Sequence, residues 1–117
     1  MKIVRIDPVE HRSPSGEEFT TYARASKDEY KNIDEFFYAT VETGFFPKDE
    51  RWYKKKELTD EKEIEDLKTL FETSSESSTL LPDGPKLKIS LHRDWDEADF
   101  LFESDEHYGR FYWYTTA

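Results

Sequence analysis

KLKISLH (86–92), EADFLFE (97–103) and RFYWYTT (110–116) are three runs of alternating apolar and polar residues, joined by short polar turns. A strand sends successive side chains to opposite faces, so alternation of period two sorts each run into an inner and an outer set. In the first run Leu87, Ile89 and Leu91 fall on one side, and Lys86, Lys88, Ser90 and His92 on the other. In the second, Ala98, Phe100 and Phe102 face inward, while Glu97, Asp99, Leu101 and Glu103 face out. In the third, Phe111 and Trp113 face inward, with Arg110, Tyr112 and Tyr114 outside. This pattern predicts an antiparallel meander with one face on the core and one face wet.

Helical signals precede the meander. LTDEKEIEDLKTLFET (58–73) places Ile64, Leu67, Leu70 and Phe71 on one stripe, and Asp60 with Glu63 reads as a capping box. In SKDEYKNIDEFFYATVETG (26–44), Tyr30, Ile33, Phe37 and Val41 recur at helical spacing with Phe36 beside them. Ser26 with Glu29 makes a second box, and Gly44 stands where a glycine ends a helix. FFYATV also suits a strand; the agreement of cap, period and stop selects the helix.

Further strands are expected at KIVRID (2–7), stopped by Pro8, and at EFTTYARA (18–25), with VEHRSPSG (9–16) as a loop between them. FFPKDERWYKKKE (45–57) reads as a turn and a short strand or irregular segment, and SSESSTLLPDGP (74–85) as a Ser-rich connector. The expected fold is α+β: an antiparallel sheet with a C-terminal three-stranded meander, one face covered by about two helices. At 117 residues the chain makes one domain, and nineteen aromatics supply its core.

Charge and composition narrow the chemistry. There are 27 Asp and Glu against 17 Lys and Arg, a formal net charge of −10. That balance disfavours nucleic acid, anionic lipid and acidic substrates, and favours basic partners. There is no cysteine, hence no disulfide, thiolate ligand or Cys nucleophile. The start MKIVRIDP has no apolar run of signal-peptide length and no segment approaches a membrane span, so a cytoplasmic location is expected.

No motif for catalysis stands out. Asp94, Asp96 and Asp99 crowd together but lack the glycine and twelfth-position Glu of a calcium loop. His11, His92 and His107 lie far apart, without zinc spacing. His92-Arg93-Asp94 matches a kinase tripeptide without any companion motif. Asp99 and Glu103 share a strand face about 13 Å apart, too far for a glycosidase pair. A carboxylate pair formed between distant segments stays open, and with it a small hydrolase. The expectation is a non-enzymatic protein without cofactor or metal.

What remains is the acid itself. DWDEADFLFESDE (94–106) carries seven carboxylates in thirteen residues, with no Lys or Arg. On the second helix Glu61, Glu65 and Glu72 form a stripe opposite the apolar face. Acids two apart on a strand lie about 6.7 Å apart, and four apart on a helix about 6 Å, a ladder comparable with duplex phosphates. Simple hairpin registers put Glu103 between Lys86 and Arg110, and His92 opposite Glu97. They leave unpaired charge at Asp94, Asp96, Asp99, Asp105 and Glu106. Charge runs are usually solvated faces, and acidity alone aids solubility; that plainer reading stands beside the functional one.

In length, acidity and the runs DEKEIED (60–66) and DWDEADFLFESDE, the chain resembles the small bacterial DNA-mimic proteins, in particular those that bind the dimeric histone-like protein HU. The resemblance lies in bulk character, and no motif transfers. It implies a non-enzymatic protein that displaces DNA from a basic partner; separately, a monomer is expected. The candidate charge carriers are Glu61, Glu65, Glu72, Asp94, Asp96, Glu97, Asp99, Asp105 and Glu106, with Tyr112 and Tyr114 as aromatic anchors. The three lysines at 54–56 depart from an evenly anionic surface. The competing reading is an immunity protein or antitoxin that neutralises a basic nuclease toxin.

Overall fold

The computed structural model describes residues 5–13, 16–47, 49–73 and 86–115, with side chains for 19–47, 50–71 and 86–115. Its strands are β1 (Arg5–Ser13), β2 (Gly16–Ser26), β3 (Lys56–Glu57), β4 (Lys86–Asp94), β5 (Glu97–Glu103) and β6 (His107–Thr115). The helices are α1 (Ile33–Glu42) and α2 (Glu61–Thr73), with 3-10 helices at Lys27–Glu29 and Asp49–Lys54. All six strands join one antiparallel sheet in the order β1-β2-β6-β5-β4-β3. The α+β class and the C-terminal meander are as the alternating runs predict. The Ser-rich stretch 74–85 lies outside the described residues.

The first strand is longer than its sequence suggests. β1 runs through Pro8, which pairs with Thr21, and on to Ser13, so residues 9–13 are strand rather than loop. Proline is tolerated there because β1 is an edge strand, and its outer side needs no ladder bond.

The wet face is the main correction. Tyr22, Phe111 and Phe100 form one cross-strand row, and they pack with Leu67 and Phe71 of α2. The neighbouring row is Ala23, Arg110 and Leu101, which by strand alternation lies on the opposite face. Ala23 and Leu101 pack with Phe36 and Phe37 of α1 and with Trp52. The helices therefore cover opposite faces, and the middle strand β5 is buried from Ala98 to Phe102 on both sides.

β4 does not keep strict alternation either. Its pairing with β5 shifts between Leu87 and Ile89 and again between Ser90 and His92. Each bulge moves the following side chains to the other face. Leu87 thus packs on the α2 side, while Ile89 and Leu91 pack on the α1 side.

The helices start and stop for identifiable reasons. α1 begins at Ile33, where the Asn32 side chain accepts from the Glu35 N–H at 3.0 Å. Ser26 instead caps the 3-10 helix, accepting from the Asp28 N–H. Asn32 outcompetes the expected box because residues 30 and 32 are extended and only there does helical geometry begin. Gly44 ends α1 as expected: its φ of +79° is left-handed, and its N–H donates to the Val41 carbonyl. At α2, Asp60 accepts from the Lys62 N–H at 2.8 Å, while Glu63 pairs with Lys56, so only half of the expected box forms.

Phe71 is the centre of the α2 side. Its ring meets those of Tyr22, Phe100, Phe102 and Phe111 edge-on at centroid distances of 5.0–6.5 Å. Gly109 lets Phe102 lie flat against β6, since a Cβ there would sit 2.5 Å from that ring. Replacing Phe71 by Ala opens a cavity among four rings. Urea denaturation should show a loss of about 3–5 kcal/mol, and a loss below about 1 would mean that the cluster does not hold α2.

Candidate functional site

Asp99 and Arg110 are both 0% exposed, on adjacent strands beneath α1. Arg110 grips the carboxylate as a fork: Nε donates to Oδ1 at 2.9 Å and Nη2 to Oδ2 at 2.7 Å. Its Nη1 donates to the Thr40 hydroxyl of α1 at 2.8 Å. The rings of Phe37 and Phe46 lie 4.9 and 4.7 Å from the guanidinium carbon. The charge is thus matched on its edges and covered by aromatic faces.

The network continues outward. Arg51, from the 3-10 helix Asp49–Lys54, donates to Asp99 at 3.3 Å and to Glu97 Oε2 at 2.9 Å. Tyr112 donates its hydroxyl to the same Glu97 oxygen at 2.8 Å. His92 Nε2 lies 3.2 Å from Glu97 Oε1 and 3.3 Å from Asp94 Oδ2. Burial works against the Glu97 charge, but hydrogen bonds from Tyr112 and Arg51, with the nearby His92, outweigh it and lower the Glu97 pKa. Burial and then the Glu97 hydrogen bond push the Tyr112 phenol well above its ordinary range, so Tyr112 stays a neutral donor.

The expected charge carriers separate into three groups. Asp99 is withdrawn from any surface, because alternation correctly set it opposite the Phe100 row but that second face is covered. Arg110, expected outside, is its buried partner. Glu97 is half-buried and matched to Arg51. Glu103 is neutralised as expected, by Lys27 and Lys88 at 3.6 Å each; its register partners are Lys86 and Tyr108 rather than Arg110. His92 stands opposite Asp99 in register, although its ring reaches Glu97.

The second group lies at the β4–β5 turn. Asp94 is exposed beside His92, and Asp96 is half-buried without an ion pair among the described residues. Tyr114 is 36% exposed and stacks on Phe19 at 4.8 Å. Between the two aspartates stands Trp95, 74% exposed, which sequence reasoning missed. Its signal was its place in a two-residue hairpin turn, where an indole has no neighbouring layer to cover it. Arg93 connects this turn to α2: it donates to Asp66 at 2.9 Å and to the Asp94 carbonyl at 2.7 Å. Glu65 and Arg93 line one shallow groove there. Glu61 and Glu65 are exposed and form no ion pair among the described residues, while the Glu72 side chain lies outside them.

The third group is remote. Asp105 and Glu106 occupy the β5–β6 turn at the other end of the sheet, where the Lys27 N–H donates to the Glu106 carbonyl. The fold does not bring them to Asp94 and Asp96.

No protein-family model, curated protein or solved structure matches the chain. Among the described residues, no group of His, Asp and Glu has metal-holding geometry, and no helix is long and apolar enough to cross a membrane.

The lowered pKa of Glu97 has a definite sign in stability. A carboxyl whose folded pKa lies below its unfolded value stabilises the fold fully above that unfolded value, near 4.5. The contribution disappears as pH falls through the lower, folded pKa. Glu97→Gln should therefore flatten the acid limb of stability against pH below about 4.5, read by denaturation at stepped pH. An unchanged acid limb would contradict the pairing.

Proposed function

We propose that the protein binds a basic, DNA-binding protein through an acidic surface and competes with DNA for it. One observation carries this reading. The strand acids Glu97, Asp99 and Glu103 are matched to cations, whereas exposed Glu61, Glu65 and Asp105 and half-buried Asp96 have no ion pair among the described residues. Unmatched acids on a rigid frame leave a negative field that a basic groove would recognise. The working surface is narrower than the acidic run suggests: α2 with Glu61 and Glu65, and the β4–β5 turn with Asp94 and Asp96. A histone-like HU dimer is the candidate partner.

Trp95 and Tyr114 favour a second reading. Exposed aromatics anchor specific protein interfaces, and a charge ladder alone has no need of them. An immunity protein that holds a nuclease toxin would use such anchors together with the acids.

The two readings separate in one assay. Fluorescently labelled duplex DNA is bound to purified HU, the protein is added, and displacement is followed by anisotropy across a salt series. The mimic reading predicts displacement at low salt that fades as salt rises. Glu61→Gln with Glu65→Gln and Asp96→Asn should weaken it about 5- to 10-fold, with Trp95→Ala mattering less. No displacement at low salt would reject HU as the partner. A nuclease complex that resists high salt and is lost in Trp95→Ala would establish the second reading instead.

A further inference from the structure

The lysines at 54–56 interrupt an acidic sequence, and the fold divides them. Lys55 turns back over the Trp52 ring, 4.3 Å from its centroid, and donates to the Trp52 carbonyl. Lys54 and Lys56 instead line a cleft of about 810 Å³ between the 3-10 helix Asp49–Lys54 and the outer edge of β4. Arg51 and Arg93 line it as well, opposed by two carboxylates, Glu50 and Glu63. Four cations thus converge on one concavity in a chain of net charge −10. The cleft opens where β3 ends: β3 pairs only with Ile89 and Ser90, and among the described residues no strand flanks β4 beyond them.

We propose that this cleft binds a small phosphate-ester anion. The two arginines are held before any ligand arrives. Arg51 is fixed by Glu97 and Asp99, and Arg93 by Asp66 and the Asp94 carbonyl. A guanidinium has five N–H donors; Arg51 uses two in these bonds and Arg93 three. Both keep donors for a ligand, and their fixed position reduces the ordering cost of binding.

Two further groups point to a ligand. Lys54 is exposed and forms no ion pair among the described residues. Ser90 also lines the cleft, and its hydroxyl is of the kind that can donate to an anion oxygen.

The chemistry of the walls narrows the class. A phosphate monoester offers three oxygens and close to two charges, which suits converging Arg and Lys better than a single carboxylate does. Glu50 forms no ion pair among the described residues and can accept from a ligand hydroxyl, which favours a hydroxylated ester over bare phosphate. Among the described residues no Phe, Tyr or Trp lines the cleft, and its one aromatic ring, the His92 imidazole, is held by Glu97 and Asp94, so nothing there favours a nucleobase. The volume lies within the range of small-molecule clefts, about 300–1,000 Å³. A sugar phosphate fits these features. The inference is independent of the acidic-surface reading, since it rests on the cleft alone.

The test is an amide NMR titration of the full chain with glucose 6-phosphate and with inorganic phosphate. Glucose and sodium chloride at matched ionic strength serve as controls. The expected result is saturable shifts at Lys54, Ser90, His92 and Arg93, with the ester binding more tightly than inorganic phosphate. Lys54→Ala, at an exposed position without an ion pair among the described residues, should keep the fold and weaken binding about 10-fold, while Lys31→Ala should leave binding unchanged. Shifts that sodium chloride reproduces, that never saturate, or that survive unchanged in Lys54→Ala would overturn the proposal. Equal affinity for the ester and inorganic phosphate would overturn the assignment to an ester.

Discussion

The buried fork between Asp99 and Arg110 constrains much of what surrounds it. Neither side chain is exposed, so each depends on the other, with Thr40 completing the partners of Arg110 and Arg51 those of Asp99. The pair lies on β5 and β6 and reaches α1, so the helix must dock where its Thr40 hydroxyl meets the guanidinium. Phe37 and Phe46 then close over the charge. Arg51 ties the segment after α1 to the same carboxylate. A buried ion pair adds little net stability over an apolar replacement, but it tolerates few alternative packings. Here it defines the α1 face of the sheet, much as the Phe71 cluster defines the α2 face.

This arrangement changes the meaning of the acidic run at 94–106. Of its seven carboxylates, Asp99, Glu97 and Glu103 serve the frame, and Asp94 is shared with His92. The charge available to a partner sits at the turns and on α2, away from the strand between them. The cations consumed inside are equally informative. Arg51 and Arg93 are anchored by acids, yet they still form two walls of the cleft beside Lys54. The same matching that silences part of the acidic surface thus preorganises a cationic one.

Much of the fold was legible from periodicity. The rows of Ala98, Phe100 and Phe102 and of Phe111 and Trp113 are where alternation put them, and the stripe of α2 is buried as its spacing predicted. The second buried face was harder to see, because Asp99 and Arg110 look like surface residues in a period-two pattern. The clue was that Leu101 and Tyr112 share their side, and that Phe36 and Phe37 of α1 needed a surface to cover. The bulges in β4 left no signature, since KLKISLH alternates without interruption. Of the candidate site, the identity of the acids was legible. Their pairing was not, because Arg51 lies 46 residues from Glu97 and 48 from Asp99.

The central claim is that Asp99 and Arg110 act as one buried unit. A double-mutant cycle tests it most directly, with Asp99→Leu, Arg110→Met and the pair measured by urea denaturation. Each single change should cost about 3–5 kcal/mol, because Asp99→Leu leaves the Arg110 charge buried without its carboxylate and Arg110→Met leaves buried Asp99 with Arg51 as its remaining ion partner. The double variant should recover much of that loss, giving a coupling of at least about 2 kcal/mol. Single losses below about 1 kcal/mol that simply add would contradict the account.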